Sequence, residues 1–220
     1  MKQKNDNNII KKACIPLKNL VEVKDQSKFT IEDDCIIEKK AFQNCSFISD
    51  TAESSEFTQT IFNKCTFDNV HLISSLLKNI RFNNCSAVNT NFERSKLMRT
   101  EFNTSKLLGI SFEASVGTDI TFSKCNCQFG DFRETKFKKT IFDNCILREA
   151  DFQNADLRGV TFSNCDLREA QFSFAILAGT NFCNSKIEGI KIQPESLRGA
   201  IVDYNQAAYL GTRLLGLQIL

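Results

Sequence analysis

From Ile37 to Ile192 a bulky apolar residue returns at every fifth position without a change of phase, and the positions between are mostly small or polar. Of the 32 positions on this lattice, 28 are Phe, Leu or Ile; the exceptions, Ala52, Ala87, Gly117 and Cys127, leave the phase intact. Seventeen of the 20 Phe fall on it. A helix repeats every 3.6 residues or so and a strand about every 2, so neither would hold such residues on one side. A strict longer period predicts a coiled chain with equivalent sides.

The five-residue step lies inside a period of twenty. Phe42-Gln43-Asn44-Cys45, Phe62-Asn63-Lys64-Cys65 and Phe82-Asn83-Asn84-Cys85 are near copies, and so are Phe122-Ser123-Lys124-Cys125, Phe142-Asp143-Asn144-Cys145 and Phe162-Ser163-Asn164-Cys165. Four fives per coil predict a four-sided cross-section. With the lattice residue as i, position i−2 is small almost throughout, and i+2 is rich in Asn and Gly, such as Asn44, Asn69, Asn79, Gly109, Asn154 and Gly179. Asn and Gly accept the positive φ of tight turns, which places a corner near i+2. Residues i and i−2 are then expected inside, and i−1, i+1 and i+2 outside.

Stretches such as Ala150-Asp151-Phe152-Gln153-Asn154-Ala155-Asp156-Leu157-Arg158-Gly159 resemble the pentapeptide-repeat proteins, whose motif is roughly Ala-(Asp/Asn)-Leu-X-X. The resemblance implies an all-β solenoid, a right-handed quadrilateral β-helix of about eight coils over residues 37–199. Residues 1–36 break the lattice and are expected to be a tail and capping segment, with Met1 to Asn8 disordered and the strip Ile9 to Leu17 laid over the first coil. Residues 200–220 change character. Asp203 is placed to cap a short helix that ends before Gly216, with Ala207, Leu210 and Leu214 as its apolar stripe and Leu217 to Leu220 as a strand-like tail.

Formal net charge is +2, and residues 37–193 hold 19 Lys/Arg against 18 Asp/Glu. This balance gives no global bias toward nucleic acid. No apolar run is long enough to cross a membrane, and the polar start Met1-Lys2-Gln3-Lys4 lacks a signal-peptide core, so a cytoplasmic location and no membrane contact are expected. Seven of the ten Cys sit at i−2 (Cys35, Cys45, Cys65, Cys85, Cys125, Cys145 and Cys165), and none forms Cys-x-x-Cys. They are expected to be buried packing residues, with no metal and no cofactor bound. Cys183, at i+1, is the thiol expected to be exposed. The chain's one His, His71, faces outward in this scheme, and neither a phosphate loop nor a nucleophile–base pair emerges. No enzymatic activity is expected.

Outer positions sort by charge. One face carries the basic residues Lys78, Lys96, Arg99, Lys136, Lys138, Lys139 and Arg158 against Glu56, Asp119 and Asp156. The preceding face carries the acidic residues Glu53, Glu93, Glu113, Asp131, Glu134 and Asp151 against Arg94 and Arg133. Ordinary solvation with cross-rung pairing is the alternative to a binding role. Direct nucleic-acid contact through the basic face is disfavoured by a lack of outward aromatics for stacking.

The end from Val202-Asp203-Tyr204-Asn205-Gln206 to Leu214-Leu215-Gly216-Leu217-Gln218-Ile219 resembles the quinolone-resistance (Qnr) and mycobacterial fluoroquinolone-resistance members. That resemblance implies a homodimer through this end, with Tyr204, Ala207, Leu210, Leu214, Leu217 and Ile219 as interface candidates. It also implies a protein partner of the type II topoisomerase class, DNA gyrase or topoisomerase IV, and an effect on quinolone susceptibility. The chain departs from those relatives in having a rod that is not net acidic and a phase that leaves no room for projecting loops. A general structural or adaptor scaffold with an unrelated protein partner is the alternative.

Overall fold

The computed structural model describes residues 10–25, 28–48 and 52–218. The strands are β1 (Val21–Lys24), β2 (Phe29–Thr30), β3 (Ile36–Glu38), β4 (Lys40–Gln43), β5 (Phe47–Ile48), β6 (Glu56–Asn63), β7 (Leu76–Asn83), β8 (Lys96–Asn103), β9 (Val116–Ser123), β10 (Lys136–Asp143) and β11 (Thr161–Ser163). Every pairing is parallel, and from β6 to β11 the register advances by one coil, so that Phe62, Phe82, Phe102, Phe122, Phe142 and Phe162 lie in one column. The chain is a β-solenoid of about 7 turns followed by one helix.

The corner residue sets this shape. At every described i+2 position from Lys39 to Gly189 the backbone is left-handed whatever the residue, with φ of 52° at Asn84, 55° at Arg94, 48° at Lys139 and 64° at Gly109. A change of direction every five residues gives four sides per twenty. On two adjacent sides the chain is extended enough to form the eight-residue strands β6–β10, and ladder pairing skips their corner residues Gln59, Asn79, Arg99, Asp119 and Lys139. The other two sides are held by single bridges, such as Ser111↔Asp131 and Asn126↔Ile146.

The lattice residues fill the column. Phe82, Phe102, Phe122 and Phe142 stack face to face at 4.5–4.8 Å with ring planes within 3°. A second stack, Phe132, Phe152 and Phe172, has spacings of 4.8 and 4.9 Å and meets the first edge-on, as Phe132 meets Phe142 at 88°. The edge-on contacts suit the ring quadrupole and add about 0.5–1.5 kcal/mol per pair beyond burial. Position i−2 does more than fit. Its side chain donates to a lattice carbonyl on the coil below: Thr90 Oγ1 to Phe67 O (2.6 Å), Ser115 Oγ to Phe92 O (2.7 Å) and Cys145 Sγ to Phe122 O (3.3 Å). Small residues with a donor suit this position because a buried carbonyl's second lone pair finds a partner there.

Gly117 breaks the apolar lattice most sharply. A Cβ there would collide with Ile120 Cδ1, so Ile120, standing where neighbouring coils have Thr100 and Thr140, takes up the missing core volume.

Both ends differ in part from expectation. Residues 21–36 form a degenerate coil, with β1 on β4, β2 on β5 and Phe29 packed edge-on against Phe42 at 5.3 Å. The segment before it does not cover the first coil. It runs along a corner of the rod as a strap: Lys11 N donates to Asp119 Oδ1 (3.1 Å), Ala13 N to Glu101 Oε1 (2.8 Å) and Cys14 N to Asn79 Oδ1 (3.3 Å). Ile10 lines a small recess together with Lys139, Thr140 and Gly159. An apolar cap is unnecessary there because residues 21–36 already bury the first coil, and Asn79 and Asp119, expected in water, are buried beneath the strap. The expectations for Met1 to Asn8, Ile9, Ile219 and Leu220 lie outside the described residues.

The C-terminal helix α1 (Tyr204–Leu215) has the expected ends. Asp203 accepts from Gln206 N, Gln206 Oε1 accepts from Asp203 N, and Gly216 is left-handed at φ 67°. Gln206 Nε2 donates to Phe182 O and Ser185 O, both at 2.7 Å, which fixes the helix on the last coil. Residues 217–218 are not a strand.

Seven cysteines, Cys45, Cys65, Cys85, Cys125, Cys127, Cys145 and Cys165, are buried, and burial pushes the Cys127 thiol well above its ordinary value. Cys14 on the strap is the exposed thiol, whereas Cys183 is half-buried. An i+1 side chain near α1 is less open than one on a segment lying outside the rod. Native-state titration with a charged thiol reagent is therefore expected to modify Cys14 first and the seven buried thiols only on unfolding. Equal rates at Cys14 and Cys145 would contradict this packing.

Candidate functional site

Outward side chains form straight columns, because position i−1 or i+1 of one coil lies over the same position of the next. Many of these groups are already engaged. An Asp or Asn at i−1 accepts the N–H of i+1: Asp131 from Arg133 (3.0 Å), Asp151 from Gln153 (2.9 Å), Asn181 from Cys183 (2.9 Å). Where i+1 is Arg, its guanidinium folds back onto the same carboxylate, as in Arg133–Asp131 (2.7 Å), Arg158–Asp156 (2.6 Å) and Arg168–Asp166 (2.6 Å). Arg158 and Arg168 hold Asp156 and Asp166 below the usual carboxylate range. An Asp-x-Arg step is thus locally neutral, a signal present in the sequence that counting charges by face does not register.

The acidic face is altered most. Arg133 also reaches Glu113 (2.9 Å), and Arg94 pairs with Glu93 (2.7 Å). Partial burial and the Asp131 charge push the Glu113 carboxyl up. Glu53 and Glu134 are exposed, and Asp151 is spent on its turn.

On the basic face Lys78, Lys96, Lys136, Lys138 and Arg158 are exposed, while Arg99 and Lys139 are half-buried beside the strap, with Arg99 Nε donating to Asn79 Oδ1 (2.6 Å). Two columns of side chains wall a groove of about 560 Å³ on this face, with Leu97, Gly117, Met98, Val116 and Thr118 along its floor and sides. Gly117 is partly open to solvent, whereas the lattice residues on either side of it in the column, Leu97 and Phe137, are closed.

Two aromatics that the lattice does not place inside stand out at corners. Phe129 is 52% and Phe174 70% exposed, both at positive φ (59° and 61°), a conformation that costs a bulky residue about 1–2 kcal/mol. Side-chain type at these i+2 corners is not dictated by the core, and neither aromatic lines the groove on the basic face.

The helix end offers a second recess, of about 490 Å³, lined by Leu197, Ala200, Val202, Ala207, Leu214 and Leu217. Of the interface candidates, Tyr204 (81%), Ala207 and Leu217 are exposed, Leu214 is half-buried and Leu210 packs into the rod's own core. Leu215, at 63% exposed, joins them.

The strap depends on carboxylates. Burial raises the Glu101 carboxyl, but the Arg81 guanidinium (2.9 Å), the Ala13 N–H and the Lys12 charge outweigh it and hold it below its ordinary value. A group depressed in the folded state contributes stability above its unfolded pKa, about 4.3, and loses it as pH falls through the folded value. Amide exchange at Ala13 is therefore expected to speed up below about pH 4 relative to strand amides such as Phe122. Unchanged relative protection between about pH 7 and about pH 3 would remove Glu101 as an anchor.

The sequence profile of the pentapeptide repeat region matches residues 35–112 and 117–192, interrupted beside Gly117. No curated protein sequence matches the chain. Full-length QnrB1, a plasmid-mediated fluoroquinolone resistance protein, is similar in structure with a TM-score of 0.50 and 21% identity, over 90% of this chain and 100% of that one. HetL, a pentapeptide repeat protein involved in heterocyst differentiation regulation in the cyanobacterium Nostoc sp. strain PCC 7120, aligns with a TM-score of 0.50 and 14% identity, over 83% and 86% of the two chains. At identities this low, the likeness shows a shared fold alone. No helix among the described residues is long and apolar enough to cross a membrane.

Proposed function

The chain belongs to the pentapeptide-repeat family, and on that premise we propose that it is a non-enzymatic rod that binds a protein partner along its outer columns. The observation that supports this most is the allocation of side chains. Positions i and i−2 are consumed by the core, and many polar groups at i−1 are consumed by turns and Asp-x-Arg pairs. What remains is a rigid, regularly spaced surface, suited to recognition and poorly suited to proton transfer or nucleophilic attack.

Type II topoisomerase, DNA gyrase or topoisomerase IV, is the partner implied by resemblance to the Qnr members, and the fold shared with a fluoroquinolone resistance protein supports testing it. A supercoiling assay with gyrase, ciprofloxacin and micromolar protein is expected to show restored or reduced supercoiling. No change in either direction would overturn this partner. One feature favours a second reading, an adaptor for an unrelated protein: Arg133 and Arg94 neutralise much of the acidic face that DNA mimicry would require.

The helix end is proposed as a homodimer contact. Leu215 and Leu217 expose apolar surface around a recess, and Tyr204 is exposed on the same helix, at an end where a solenoid needs cover. Light scattering at tens of micromolar is expected to give a dimer mass, falling to a monomer mass in the double variant Leu215→Asp, Leu217→Asp. A monomer mass for the unaltered protein would overturn the contact.

A further inference from the structure

The groove over Gly117 has a composition that specifies its occupant. Its walls are two columns of outward residues on β8, β9, β10 and the coil that follows. Four cationic side chains, Lys96, Lys136, Lys138 and Arg158, face it against one carboxylate, Asp156. Arg158 already holds that carboxylate through two hydrogen bonds of 2.8 and 2.6 Å. Among the described residues, Lys96, Lys136 and Lys138 make no ion pair. Between the cations lie apolar groups, with Met98 36% and Val116 40% exposed above the Gly117 backbone. A basic rim around an apolar floor complements a ligand that carries both carboxylates and aliphatic side chains.

We infer that this groove binds an extended, acidic segment of a partner protein, with carboxylates on Lys96 and Lys136 and an aliphatic side chain over Gly117. This names the partner chemistry for the protein-binding reading and rests on it. Spacing narrows the sequence. Lys96 pairs with Val116 and Val116 with Lys136, so the two lysines are two rungs apart in one column. Rungs are 4.7–4.9 Å apart, which puts the lysine backbones about 9.6 Å apart. A polyproline-II chain rises about 3.1 Å per residue with three residues per turn, so carboxylates at every third position share a side and are about 9.3 Å apart. Acidic residues three apart therefore match lysines two rungs apart. Duplex nucleic acid would meet the same cations but leave the apolar floor empty, and no aromatic lines the groove to stack on a single strand. Residues 1–9 hold Lys2 and Lys4 against Asp6, the wrong sign for the chain's own start to be the complement.

The probe is a fluorescein-labelled peptide, Glu-Leu-Pro-Glu-Leu-Pro-Glu, titrated by anisotropy against the full chain at low salt. Saturable binding is expected, weakened at least tenfold in the double variant Lys96→Glu, Lys136→Glu and unchanged in the double variant Lys186→Glu, Lys191→Glu, whose lysines lie on other faces. Thr118→Trp, which fills the groove and keeps every charge, is also expected to weaken binding at least tenfold. All variants are surface changes, and matching thermal melts exclude unfolding as the cause. No saturable binding, equal weakening by both lysine pairs, or indifference to Thr118→Trp would overturn the inference. Tighter binding of a twelve-base-pair duplex through Lys96 and Lys136 would replace it with a nucleic-acid site. If the peptide fails while gyrase still responds to the rod, the groove falls and the protein-binding reading stands.

Discussion

Once in every five residues the backbone of this protein must enter the left-handed region, and the remaining structure depends on that turn. Only Gly does so without steric cost, and Asn or Asp does so more readily than the rest. Yet Arg94, Lys139, Glu149 and Phe174 occupy the conformation too. The strain is offset coil by coil through backbone hydrogen bonds, such as Phe112 N to Asp131 O (2.7 Å) and Asp131 N to Ile110 O (2.8 Å), together with the stacked rings inside. Because each coil, the strap apart, leans on its neighbours, stability is largely a sum of such contacts and the ends need special treatment. The degenerate coil of residues 21–36 and the helix Tyr204–Leu215 provide it, each closing its end by different chemistry.

The narrow column explains why the core tolerates so little. Two of five positions must face inward, and the smaller one, where it carries a donor, also gives a hydrogen bond to a lattice carbonyl of the preceding coil, so Ser, Thr and Cys recur at i−2 beside Ala, Val and Ile. Gly117 shows the compensation this demands. Losing a large lattice residue is accommodated by enlarging i−2 to Ile120, which keeps the interior filled while leaving the outer wall bare at that rung. A change that is nearly neutral for packing thereby shapes the surface.

Much of this was legible in the sequence because it repeats. The coil, its sides, the buried thiol ladder and the helix ends at Asp203, Gln206 and Gly216 all leave local or periodic traces. The strap does not. Its contacts join backbone N–H groups to carboxylate and amide side chains 65 to 108 residues away, and no spacing rule marks them. The acidic face was legible only as formal charge. Its weakening comes from Arg133 folding onto both Asp131 and Glu113, which depends on side-chain direction rather than on position. The basic groove was half visible: the lysines stood out, but the recess between their columns appears only when coils are stacked.

Local pairing also decides which charges can recognise anything. A carboxylate that has accepted a turn N–H and a two-pronged guanidinium has little left to offer a partner, and breaking that pair would cost what a new one returns. Arg133 and Arg158 are consumed by carboxylates two residues away, whereas Lys96, Lys136 and Lys138 make no ion pair among the described residues, and the one carboxylate in their groove, Asp156, is already held by Arg158. Lysines held on a stiff sheet at fixed rung spacing are ordered before any partner arrives, at least as far as their Cβ atoms, so less freedom is lost on binding. Discrimination in such a rod then comes from distance along its axis. A partner whose charges recur at the rung interval or a multiple of it gains every contact, and one out of step gains few.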